Sequence, residues 1–166
     1  KMALTARGQK VYLPITEYDK QIYQQAEETL KQLYEHIPQT ALDPGYNTQQ
    51  VLNYHYTYWR QMFNARQLAS IAILVAEIKR IPSDSLRFLF AVLLSGVLEF
   101  NNMFCSFKGE GTGAVRHMFS HHILKPEFTP LEANLWGTPK SSGSFSTLFK
   151  RRIHKLLRYK SSPFEL

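Results

Sequence analysis

Apolar residues return every third or fourth position over much of the chain, and that spacing predicts a helical protein. After a short extended entry at Val11, Tyr12, Leu13 and Pro14, a first helix is predicted over 17–35. Ile22, Ala26, Leu30, Leu33 and Ile37 form its buried stripe. Thr16 stands where an N-cap belongs, and Asp19 three residues later completes a capping box. Pro38 ends this helix, and Asp43-Pro44-Gly45-Tyr46-Asn47 reads as a turn. A short aromatic helix is predicted over 49–62, with Leu52, Tyr56, Trp59 and Phe63 on the core and Tyr54, His55 and Tyr58 at its rim. The functional alternative for this aromatic group is a surface on which bases stack.

Asn64 and Gln67 make a second capping box, opening a strong helix over 65–81 that Pro82 breaks. Ser83 caps the next, over 84–103. Leu86, Leu89, Phe90, Leu93, Leu94, Val97 and Leu98 make it apolar on most sides, so it is expected at the centre of the core, antiparallel to its predecessor. A last helix is predicted over 146–159. Phe145, Leu148, Phe149, Ile153, Leu156 and Leu157 share one face of it, and Lys150, Arg151, Arg152, Lys155 and Arg158 cover the other. No heptad run is long enough for a coiled coil, and no internal repeat is present.

Between these helices the period is lost. Residues 107–147 hold five of the eight glycines and three of the eight prolines, mixed with large apolar side chains. A linker would be poor in such anchors, and long aperiodic excursions of this kind are usually functional. The fold class expected is therefore mainly α in one domain. A helical core at 16–106 carries an irregular Gly/Pro/Ser-rich excursion at 107–143 and a basic helix at 145–159. About five helices should pack around an apolar central one.

Charge sharpens the picture. Of the net +7, residues 1–106 supply +1, from ten Lys/Arg against nine Asp/Glu, and residues 107–166 supply +6, from ten against four. A basic half beside a neutral half predicts a directed cationic face, with phosphates as its usual partner. Lys108, Arg116, Lys125, Lys140, Arg151, Arg152 and Lys155 are the expected phosphate contacts. Ser141, Ser142 and Gly143 offer hydroxyl and backbone donors beside a helix start. Arg66 either reaches outward or pairs inward with Glu99. The single cysteine, Cys105, excludes an internal disulfide framework and points to a buried reduced thiol in a cytoplasmic protein. The apolar runs fall short of the roughly 20 residues that span a bilayer, so no membrane partner is expected. Both ends read as cuts, so the chain is expected to be a piece of a larger protein.

Phe107-Lys108-Gly109-Glu110-Gly111 spells the F-x-G-x-G of an S-adenosylmethionine loop. Such a loop should leave a strand and open a helix, and here a capped helix precedes it. Gly109, Gly111 and Gly113 are thus weak cofactor candidates beside the plainer reading of a flexible loop. His117 and His121 have the spacing of zinc ligands without a third partner. Nucleophile motifs and Walker loops are missing, and no residue is assigned to catalysis.

Several stretches together resemble a known family. These are Gly45-Tyr46-Asn47-Thr48, Tyr58-Trp59 with 62–68, Leu98-Glu99-Phe100-Asn101-Asn102-Met103-Phe104-Cys105, residues 109–119, and Trp136-Gly137-Thr138-Pro139-Lys140-Ser141-Ser142-Gly143. They are similar to an internal region of large bacterial DNA methyltransferases acting on adenine N6 or cytosine N4. The resemblance implies a parent that uses S-adenosylmethionine and holds a flipped base with [DNS]-P-P-[YFW]. This chain contains no Pro-Pro pair, so it implies a non-catalytic, helical accessory region without its own cofactor. Such a region would contact DNA, or alternatively serve as a docking module for the rest of the enzyme or another subunit.

Overall fold

A computed structural model describes residues 2–4, 10–107, 115–120, 124–127, 131–138, 141 and 143–163. The protein is mainly α, as the periodicity predicts. Two small strands, β1 (Met2–Leu4) and β2 (Lys10–Tyr12), pair antiparallel at the start of the chain. Helix α1 runs Glu17–Gln32 and tightens into a 3₁₀ turn at Tyr34–His36. Thr16 and Asp19 close the expected capping box. The stripe on α1 is buried only toward its C-terminal end: Ile37 is buried, Leu30 and Leu33 pack on the core's margin, and Ile22 is exposed.

The aromatic segment departs from its predicted helix. α2 covers only Gln49–Asn53, and a separate 3₁₀ turn occupies Trp59–Met62. His55 sits between them at φ 65°, in the left-handed region, which no α-helix can continue through. The freed backbone groups find other partners. Tyr56 N donates to Val51 O at 3.3 Å, and Thr57 N donates to Gln61 Oε1 at 2.6 Å. The 57–59 stretch then pairs with 40–42, where Leu42 N donates to Thr57 O at 2.8 Å and Ala41 bridges Tyr58. Tyr56 meets Phe104 edge-on at 5.1 Å, as a core residue should, whereas Trp59 stays 39% exposed.

α3 (Ala65–Lys79) and α4 (Asp84–Leu98) follow, and the turn at Pro82 joins them. Asn64 and Ser83 cap them as expected, through Gln67 N and Leu86 N. The central helix is α3, not the 84–103 segment. α3 buries Gln67, Ala69, Ile71, Ala72, Leu74 and Ile78, and packs against both α1 and α4. α4 buries Leu93, Leu94 and Val97 but exposes Leu86, Phe88 and Val92. Two of the residues α3 buries, Ala69 and Ala72, are small, and the more apolar α4 is left on the flank.

The core has two lobes. One gathers α3, α4 and the last helix around Ile71, Leu74, Val97, Leu148 and Ile153. The other gathers Leu42, Val51, Met62, Phe104, Met118 and Leu124, and Phe63 packs against both. Asn101 and Asn102, fully buried, end α4 and tether the excursion. Asn101 Nδ2 donates to Val97 O at 2.7 Å and to Gly143 O at 2.8 Å, while Asn102 Oδ1 accepts from Phe104 N at 2.8 Å.

The last helix begins with α5 (Phe145–Leu148), passes through a π turn at Phe149–Ile153 and ends as α6 (His154–Ser161). Phe90 of α4 stacks on Phe145 and Phe149 at 6.3 and 5.9 Å. Leu148 and Ile153 are buried as predicted, but Leu156 and Leu157 are 42% and 59% exposed. The apolar face is thus anchored at one end only, and α6 runs beyond the core.

Candidate functional site

The basic helix is the first site. Lys150, Arg151, Arg152, Lys155, Arg158 and Lys160 are all exposed, on consecutive turns. The sequence offers no acidic residue between Glu132 and Glu165, and among the described residues none of the six forms a salt bridge. Among the described residues four other cations meet carboxylates: Arg80 meets Glu77 at 2.6 Å, Lys20 meets Glu17 at 2.7 Å, Arg66 meets Glu132, and Arg87 pairs with Asp84. Arg152 lies across α4, where a Cβ added at Gly96 would come within 2.2 Å of its Nη1. Gly96 thus leaves the space the guanidinium fills, which ties one cation of the helix to the core.

The other expected phosphate contacts sit on separate elements. Arg116 lies in β4 (Val115–Arg116), which pairs antiparallel with β3 (Ser106–Phe107). Lys125 is exposed next to Leu124, whose N–H donates to Asn47 O at 3.4 Å. Lys108, Lys140 and Ser142 lie outside the described residues, as do Gly109, Gly111, Gly113 and His121. A second strand follows the glycine segment where a cofactor loop should open a helix. Ser141 is engaged internally: its Oγ accepts from Thr138 N at 2.7 Å and sits 2.9 Å from Ser144 Oγ. Ser144 Oγ in turn donates to Thr147 Oγ1 at 3.0 Å. These hydroxyls brace the start of α5 against the excursion, and Gly137 (φ 100°) and Gly143 (φ 70°) supply the backbone turns this requires.

Arg66 pairs with Glu132 at 2.6 Å, its guanidinium 5.5 Å from the Tyr23 ring centre, and not with Glu99 as the inward alternative has it. Glu99 faces another partner. His117 Nδ1 lies 3.0 Å from its Oε1, an ion-pair distance without hydrogen-bond alignment.

Glu99 also lines a cleft of about 530 Å³ that the sequence does not announce. Ile37, Pro38 and Thr40 line it from the chain beyond α1, Leu68 and Ile71 from α3, and Ser95, Leu98 and Glu99 from the end of α4. Trp59, Arg60 and Phe63 enter from the 3₁₀ turn, and Met118 and Phe119 from the chain after β4. The wall is mostly apolar, with few polar groups converging on it, which is the usual composition of a small-molecule site. Arg60 spreads its guanidinium 4.1 Å from the Tyr58 ring centre, yet its Nη1 is buried without a hydrogen-bond partner.

Among the described residues no catalytic group emerges. No protein-family model, curated protein or solved structure matches this chain. Cys105 is buried, its Sγ 3.4 Å from Glu99 O and 3.5 Å from Asn102 Oδ1. Desolvation pushes its thiol up to about 11, so it is protonated and inert at neutral pH. Among the described residues no three His, Cys, Asp or Glu gather as a metal site, and no helix is long and apolar enough to cross a membrane.

Proposed function

We propose that this chain is a non-catalytic, DNA-contacting helical region of an S-adenosylmethionine-dependent DNA methyltransferase. The observation that carries the reading is the run of six exposed cations over 150–160 that no carboxylate answers among the described residues. Residues 1–106 set ten Lys/Arg against nine Asp/Glu, so their net charge is small. Over 150–160 the charge is left for an external anion, and DNA presents one at regular spacing along each strand. The resemblance of 45–48, 58–59, 62–68, 98–105, 109–119 and 136–143 to amino-group DNA methyltransferases supplies the parent class. S-adenosylmethionine belongs to that parent, whose remaining parts are the second partner.

The test is DNA binding measured against salt. Contact with about four to six phosphates gives a slope of log affinity on log salt near −0.9 per phosphate. The double charge reversal Arg151→Glu, Arg152→Glu should flatten that slope and lower affinity at least tenfold. Unchanged affinity would remove the helix from the interface. A docking module is the second reading, favoured by the exposed Phe88, Val92, Leu156 and Leu157. Attachment through those residues to the rest of the enzyme would respond weakly to salt and strongly to Phe88→Ser.

A further inference from the structure

Two helical faces stand uncovered near the two ends of the sequence, and the DNA-contact reading uses only the charge of one. Helix α1 buries no residue. Tyr23 lies level with Arg66 of α3, 5.5 Å from its guanidinium, and His36 with Lys79, 3.2 Å from its Nζ. The chain from Tyr23 to His36 therefore runs beside α3, and the residues before Tyr23 extend ahead of it. Ile15 and Tyr18 are accordingly 67% and 69% exposed. Tyr18, Gln21, Gln25 and Glu28, all exposed, recur at steps of three and four and share one face of α1, with Glu17 beside Tyr18. Residues 17–35 hold five of the chain's thirteen carboxylates, Glu17, Asp19, Glu27, Glu28 and Glu35, against two lysines. Glu17 meets Lys20 on its own helix, and Glu27 and Glu28 meet no Lys or Arg among the described residues. Near the other end, α6 sets its cations around the exposed Leu157: Arg158 follows it and Lys160 lies about one turn on. DNA phosphates answer these cations and leave the leucine in water.

We infer that the two faces meet between two copies of this chain. The helix over 150–160 of each copy lies along α1 of the other, with Leu157 against Tyr18 and the cations against Glu17 and Glu28. This inference stands apart from the DNA-contact reading. A second copy is the occupant because the chain holds both halves of the match: six cations with no acid among them on one helix, and its densest group of carboxylates on the other. Two such contacts related by a two-fold axis close a dimer and leave neither face unfilled. The net +7 opposes association. At physiological salt, however, exposed charges more than about 8 Å apart are largely screened, whereas side chains paired at contact are not. An uncharged apolar partner would cover Tyr18 and Leu157 but leave both sets of charges unmatched.

Sedimentation velocity on the chain at about 0.1 mM reads the assembly directly. At about 50 mM salt the mass should approach twice that of one chain, and at about 500 mM it should fall back to a single copy. Glu17→Lys with Glu28→Lys should sediment as a single copy at low salt. So should Arg158→Glu with Lys160→Glu, although this pair takes four positive charges off the net +7 and would favour association if net charge ruled. An equimolar mixture of the two double variants should recover the dimer, since each reversed face then meets its opposite. Phe88→Ser should change nothing. A single copy at both salts overturns the inference. So does a dimer that resists salt and yields to Phe88→Ser, which moves the contact to α4. A mixture that stays monomeric while both variants keep the native circular dichroism overturns it as well. If a double variant loses helix, Glu28→Gln and Lys160→Gln take its place. Each should weaken the native dimer about threefold, because a two-fold contact counts the lost pair twice, and no weakening overturns the inference. No DNA enters the measurement, so every one of these failures leaves the DNA-contact reading standing.

Discussion

At the scale of single residues, the chain places its constraints where side chains are smallest or least exposed. Gly143 turns the backbone at φ 70°, and a Cβ there would sit 2.4 Å from Phe100 Cβ and Cγ. Its carbonyl also accepts from Asn101. Gly143→Ala meets backbone strain and a core clash together, so at least about 2 kcal/mol of stability should be lost. A urea titration reads this as a lower midpoint at unchanged slope. Cys105 makes a separate prediction. Burial raises its folded pKa from 9.0 to about 11, so the folded state keeps its proton where the unfolded chain begins to release one. The thiol's stabilising contribution is complete below pH 9 and should decline by at most roughly 1.4 kcal/mol per pH unit up to pH 11. Cys105→Ser should flatten that part of the stability–pH curve. In the native protein the thiol should resist alkylation at pH 8 until urea exposes it.

At the scale of elements, local signals were legible and tertiary ones were not. The starts of α1, α3 and α4 were readable because a capping residue and its partner lie within four positions of each other, and no distant contact is needed. Asn64 bonds Gln67 N at 2.9 Å and receives Gln67 Oε1 at its own N–H, so Asn64→Ala should cost about 1 kcal/mol by thermal melting. The centrality of α3 over α4 could not be read this way. α4 is the more apolar helix, but it is α3 that packs against both α1 and α4, and that depends on contacts distant in sequence. The break at His55 was equally hidden, since it depends on the pairing of 40–42 with 57–59, some seventeen residues apart.

At the scale of the whole molecule, the cationic helix was visible in sequence because six like charges without an acid need no structure to be noticed. The cleft was invisible. Its walls come from five separate stretches of the chain, which no local pattern brings together. The spread of exposed aromatics over 54–59 was the one hint available. Phe63 packs on both core lobes, which makes them one cooperative body. Trp136 follows Leu135 of the first lobe in the chain, and Trp59 opens the 3₁₀ turn that ends at Met62 of the second. Tryptophan emission and far-ultraviolet circular dichroism should therefore follow a single thermal transition; two resolved midpoints would mean the lobes unfold apart. The π turn at Phe149–Ile153 carries one last consequence. A wider turn accommodates one residue more than the α-helical repeat, so everything beyond it is set about 100° around the axis from where an unbroken α-helix would aim it. Deleting Lys150 would remove one charge, yet it would also swing Arg152, Lys155, Arg158 and Lys160 to a different compass bearing relative to α5 and its buried Leu148. The helix is a pointer whose aim is fixed by a single surplus residue, and the proposed contact with DNA should register the deletion through geometry, not charge count.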